Sequence, residues 1–207
     1  VCLDGGAVGR RGGDGDLEFT RQEGELGVHR RPLAQNFGQR ARVQFGFDDE
    51  AQRKNWSNLP TGIYQRKGLR LGDLTRPQRE AALAILAATL SKTGYEKVWG
   101  IMEGDQVLPK PSGNIMFGRD EYYLSFLGKP SATEPWSIQF GGHHLALNIT
   151  LAGRLATLAP SHTAAQPARF ELEGRSIRPL GRETDLAFEL INDLNPAQRK
   201  QAILGAK

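Results

Sequence analysis

The sequence predicts an α+β domain: an antiparallel sheet of strands between about residues 120 and 172, with flanking helices at about 75–92 and 181–204. Two observations lead there. Apolar residues recur with helical spacing near both ends of the body of the chain, and they alternate with polar residues in its middle.

The first helix opens at Leu74-Thr75-Arg76-Pro77-Gln78-Arg79. Thr75 is a good N-cap, Gln78 stands three residues on where a capping-box partner reaches back, and Pro77 falls in the first turn, where its missing N–H costs nothing. Leu83, Leu86, Ala87 and Leu90 then form a stripe for a core, and Thr93-Gly94 ends the pattern. Strand candidates follow at 120–127, 139–151, 155–158 and 169–172, with Ala152-Gly153 as a tight turn before the third. A second helical pattern places Leu186, Leu190, Ile191 and Leu194 on one face. It runs into Leu194-Asn195-Pro196-Ala197-Gln198-Arg199, which repeats the chemistry of the first helix start.

Composition sets bounds on function. The 207 residues are 39% apolar with a formal net charge of +4, and the lone Cys2 rules out an intrachain disulfide framework or a Cys-rich zinc module. No stretch approaches the roughly eighteen apolar residues of a membrane span. Residues 1–37 hold eight of the 25 glycines, have no lysine and lack an apolar signal-peptide core, so they read as a flexible or extraneous N-terminal arm before a single domain at 38–207. With no targeting segment visible, a cytoplasmic location is expected. Arg66-Lys67 with Arg70, and Arg175 with Arg178, are small basic clusters without a continuous stripe or an aromatic RNA-binding signature, so they read as solvated surface and nucleic acid is not an expected partner. Gly141-Gly142 precedes a strand rather than opening a helix, which excludes a phosphate loop.

The densest polar information lies in Tyr122-Tyr123-Leu124-Ser125-Phe126-Leu127-Gly128, in Pro130-Ser131-Ala132-Thr133-Glu134-Pro135-Trp136, and in Gln139-Phe140-Gly141-Gly142-His143-His144-Leu145-Ala146-Leu147-Asn148. In these runs, and over most of 38–204, the chain resembles domain of unknown function family 3500, a bacterial and fungal family. Its members carry a similar Tyr-rich strand, a Pro-Ser-x-x-x-Pro-Trp loop and a Phe-x-Gly-His-His-Leu-x-Leu-Asn strand. The resemblance implies no particular activity. It leaves residues 1–37 outside the family pattern and implies that relatives continue beyond the position of Lys207, so that truncation at the C-terminus is an expectation.

The residues themselves suggest a site. On one continuous strand His143 shares a face with Leu145, Leu147, Ile149 and Leu151, and His144 shares the other with Ala146, Asn148 and Thr150; a bulge at Gly141-Gly142 would reassign both. Counting across a hairpin at Ala152-Gly153 sets His162 opposite His143 or His144. The sharp expectation is a metal or acid–base pocket: His143, His144 and His162 as metal ligands, Glu134 and His144 as catalytic groups, and Tyr122, Trp136, Gln139 and Asn148 lining it around a small molecule. Imidazoles with one carboxylate are the donor set of catalytic zinc and non-haem iron, so a divalent metal is the cofactor implied. Ser131 with Glu134 and His144 suggests a nucleophile, although no Gly-x-Ser-x-Gly elbow is present. The competing expectation is a non-catalytic ligand-binding or protein-interaction domain whose histidines only pin the Pro-Ser-x-x-x-Pro-Trp loop to the sheet.

Overall fold

The computed structural model describes residues 18–22, 25–29, 41–108 and 115–205. In the arm, β1 (Glu18–Gln22) and β2 (Glu25–His29) pair as an antiparallel hairpin, two strands that composition did not anticipate. The body begins with β3 (Gln44–Phe45), the short helix α1 (Glu50–Arg53) capped by the Asp49 side chain, and β4 (Leu69–Arg70). Two helices follow, α2 (Arg76–Thr89) and α3 (Lys92–Gln106). Then come β5 (Tyr123–Leu127), β6 (Trp136–Gly142), β7 (Leu145–Ala152) and β8 (Leu155–Thr163), the small ribbon of β9 (Phe170–Leu172) and β10 (Arg175–Ile177), and finally α4 (Gly181–Asp193) and α5 (Pro196–Ala202).

The fold is α+β, as the pattern predicts, with a sheet that is mostly antiparallel. Its order is β3-β5-β6-β7-β8, and β4 shares with β3 the outer edge of β5. The β3–β5 pairing is the parallel exception. The two faces of this sheet are chemically distinct. Leu124, Phe126, Trp136, Ile138, Phe140, Leu145, Leu147, Ile149 and Leu151 point to one side and join Ala82, Ile85, Leu86, Leu90, Val98, Ile101 and Met102 of the α2–α3 pair in one buried cluster. The other face carries Tyr123, Ser125, Ser137, Gln139, Gly141, Ala146, Asn148, Thr150 and His162, which register side by side across β5 to β8.

Several element expectations are corrected. The helix at 75 starts as predicted, with the Thr75 N–H donating to Gln78 Oε1 at 3.0 Å; of its predicted stripe Leu86 and Leu90 are buried and Leu83 packs against the core, while Ala81, Ala82, Ile85 and Thr89 are buried where Ala87 is only partly so. Thr93-Gly94 does not end the helical region. Ser91 caps a new helix, and its glycines are packing contacts rather than breaks: Gly100 lies against Pro179, and Gly104 lies against Phe170 so closely that a Cβ there would come within 3.2 Å of the ring. The helix at 181–194 forms, yet none of its residues is buried, and Leu186 and Leu190 are 50% and 63% exposed.

The predicted strand at 139–151 is two strands. His143 and His144 form the two-residue turn of the β6–β7 hairpin, where Gly142 pairs with Leu145. The following turn is Gly153-Arg154, with Gly153 at φ 58°, one residue later than predicted. The β7–β8 register then shifts between Leu147 and Ile149, where Pro160, with no N–H for the ladder, interrupts β8. The two displacements together set His162 opposite Ala146, not opposite His143 or His144.

Candidate functional site

The His143–His144 turn is held from every side. Tyr122, fully buried beneath it, donates its hydroxyl proton to the His143 carbonyl at 2.8 Å, and a Cβ on Gly142 would come within 2.7 Å of the Tyr122 ring. Burial pushes the Tyr122 phenol well above its ordinary range, so it stays a donor. The His144 N–H donates to Asn58 O, and the His144 carbonyl accepts from the Ala164 N–H. His144 itself sits at φ 61°, a left-handed conformation uncommon for a side chain of this size and one that concentrates at functional sites.

This geometry replaces the opposite-face arrangement. The His143 and His144 rings lie 3.8 Å apart between centroids. His143 is buried, stacks on Phe117 at 4.8 Å, and places Nδ1 2.6 Å from Asp105 Oδ1, while the other Asp105 oxygen accepts from the Gly118 N–H. A carboxylate only accepts, so the Asp105 contact calls for a ring proton on Nδ1 of His143. His144 directs Nε2 at Gln166 Oε1, 3.0 Å away, and burial lowers its pKa below the ordinary imidazole range. Its Nδ1 is enclosed without a partner among the described residues, as is Nε2 of His162.

Across the polar sheet face, the segment from α1 to residue 67 forms a cover. Gln52, with no exposed surface, donates to Gln139 Oε1 at 2.7 Å; Gln139 donates to Asn148 Oδ1, and Asn148 donates to the Pro160 carbonyl. Arg66 donates from one terminal nitrogen to the carbonyls of Ser57, Leu59 and Gly142, tying the cover to the end of β6, and its other nitrogen, Nη1, is buried without a partner. Between cover and sheet lies a cleft of ≈ 20 Å³ lined by Asn55, Trp56, Ser57, Arg66, Lys67, Tyr123, Ser125, Gln139, Phe140, Gly141 and Ala146. By register His162 borders Ala146 on its floor.

The residues singled out from sequence are thus divided. His143, His144 and His162 gather at one end of the sheet, and Gln139 and Asn148 lie on the adjoining polar face. Tyr122 and Trp136 lie on the core side, each buried to 1% exposure or less. Glu134 is exposed at the opposite end of β6, a seven-residue strand about 20 Å long, so the structure does not bring it to the histidines. Ser131 Oγ accepts from the N–H groups of Thr133 and Glu134, the work of a turn residue rather than a nucleophile. Among the described residues no group of three His, Cys, Asp or Glu side chains is placed to hold a metal ion.

Sequence reasoning missed Asp105 and Arg66. Asp105 lies in α3, the helix its glycines concealed. Arg66 was grouped with surface charge, although the guanidinium is half-buried; its neighbour in that cluster, Arg70, is consumed by Glu121 and Asp73.

The class these features define is an α+β domain with an apolar helix-covered sheet face and a polar face that ends in a histidine turn. The family described as protein of unknown function (DUF3500) matches residues 34–207, and the chain belongs to it. No curated protein and no solved structure matches the chain. Among the described residues no helix is long and apolar enough to cross a membrane.

Proposed function

We propose that the domain is an enzyme for a small polar molecule, with its site at the polar end of the sheet around the His143–His144 turn and with His143, oriented by Asp105, as its acid–base group. One observation carries the reading. Thr61 Oγ1, Arg66 Nη1, His144 Nδ1 and His162 Nε2 are all buried without partners among the described residues, and all belong to the turn or to the segments packed on it. Leaving a buried polar atom unpaired costs about 1–3 kcal/mol, so a cluster of them is expected where a ligand supplies the missing bonds. In this reading His144 and His162 bind through ring nitrogens, Gln139 and Asn148 hold the floor, and the Asp105–His143 pair moves the proton, the carboxylate fixing the imidazole tautomer as in other acid–base dyads.

A second reading is a divalent cation shared by His144 Nδ1 and His162 Nε2, favoured because both unpartnered atoms are imidazole nitrogens, with ligand or solvent completing the coordination. The non-catalytic alternative treats the turn as a structural clasp. A panel of small polar molecules titrated into isotopically labelled protein, with and without zinc, separates them. The proposal expects a saturable hit that shifts resonances of 141–146 and 162 in the parent, and that weakens in His162→Gln and in His143→Gln. A hit strengthened by zinc favours the cation reading. Ligands that perturb only distant residues, or bind all three proteins alike, contradict the proposal.

A further inference from the structure

We infer that the ligand of this site presents an anionic oxygen group of carboxylate size, seated on Arg66 in the cleft between the cover segment and the sheet floor; this rests on the small-molecule reading above. Arg66 stands apart from the other partly buried arginines. Arg70 pairs with Glu121 and Asp73, and Arg79 with Asp120. Among the described residues no carboxylate pairs with Arg66, whose guanidinium is instead fixed by three backbone carbonyls on one nitrogen and lies 5.4 Å from the Tyr64 ring centroid. Holding a cation out of water with no carboxylate in contact is costly: burial lowers the Arg66 pKa, and the charge of Asp105, which forms no ion pair with it, opposes that only in part.

The fixed guanidinium is a preorganised receptor. Three carbonyls set its plane, so the unpartnered Nη1 meets an incoming anion without loss of side-chain freedom. Lys67 lines the same cleft and adds positive charge, whereas no Asp or Glu lines it. Trp56 and Tyr123 offer flat apolar walls, and Ser125 and Gln139 polar ones. A space of ≈ 20 Å³ is small, close to what one or two water-sized groups fill, which suits a carboxylate head with the rest of the molecule directed outward.

The probes are benzoate and benzamide, matched in shape and different in charge, titrated in a buffer free of carboxylate and phosphate. The proposal expects benzoate to shift the backbone resonances of Ser125, Gly141 and Ala146 saturably and benzamide to bind at least about tenfold more weakly, the scale of one charge-assisted hydrogen bond. Lys67→Gln, whose exposed side chain makes none of the ties to the cover, is expected to weaken benzoate several-fold at unchanged thermal midpoint, and Arg66→Gln to abolish binding if it folds. Benzamide binding at these residues as tightly as benzoate overturns the anionic assignment and leaves the small-molecule site standing. Neither probe shifting them, or benzoate acting elsewhere, overturns this inference, and the small-molecule reading then falls or stands on the wider panel.

Discussion

His144 combines a left-handed backbone, one satisfied ring nitrogen and one enclosed without a partner. Because burial lowers its pKa, the native protein resists protonating it, whereas the unfolded chain takes up that proton as pH falls through about 6.5. Stability present above that pH therefore declines on acidification until the native group titrates as well. Urea unfolding across pH should show this slope, and His144→Asn, which tolerates the positive φ, should flatten it; an unchanged slope would place the effect in another group. Asp105 serves two donors, the His143 ring and the Gly118 N–H. Asp105→Asn is expected to cost about 1.5–3 kcal/mol in urea unfolding, with the His143 ring proton no longer held at Nδ1. Neither role was legible in the sequence, since a lone aspartate among glycines carries no signature until the helix that holds it is packed against the hairpin.

At the scale of elements, what could be read was what depends on neighbours in the chain. The Asn195 start of α5 is one such case: its side chain accepts from the Ala197 and Gln198 N–H groups at 3.0 Å, as the capping pattern implies. The alternation from Leu145 to Leu151 is another, since all four of its apolar residues reach the core. What could not be read depends on a partner distant in sequence. Gly142 marks a turn because Tyr122 lies under it, and Pro160 shifts a register that counting along β7 alone does not reveal. Gly142→Ala should therefore destabilise by about 1–3 kcal/mol, the cost of forcing a methyl into a filled site, as read from the denaturation midpoint; a neutral effect would mean that Tyr122 moves aside freely.

Across the whole molecule, the apolar core and the polar cleft lie on opposite faces of one sheet, and the histidine turn stands at its end, where Asp105 reaches His143 from α3. Composition announced the apolar half through its periodic leucines, and it concealed the polar half because serine, glutamine and asparagine on a strand look like ordinary solvent-facing residues. The same division separates the helices. Leu86→Ala, from a residue with no exposed surface, is expected to cost about 2–5 kcal/mol, while Leu190→Ser on α4 should fall within roughly 0.5 kcal/mol by equilibrium unfolding. Equal losses would show that α4 packs against something in solution.

For the histidine turn proposed as a ligand site on the Asp105–His143 pair, the deciding measurement is the long-range proton–nitrogen spectrum of the imidazoles, recorded with and without a bound probe. The prediction is a His143 ring with its proton on Nδ1, unprotonated Nδ1 on His144, and shifts confined to His143, His144 and His162 when the probe binds. A His143 proton on Nε2, or three rings that do not respond to any molecule the protein binds, would contradict it.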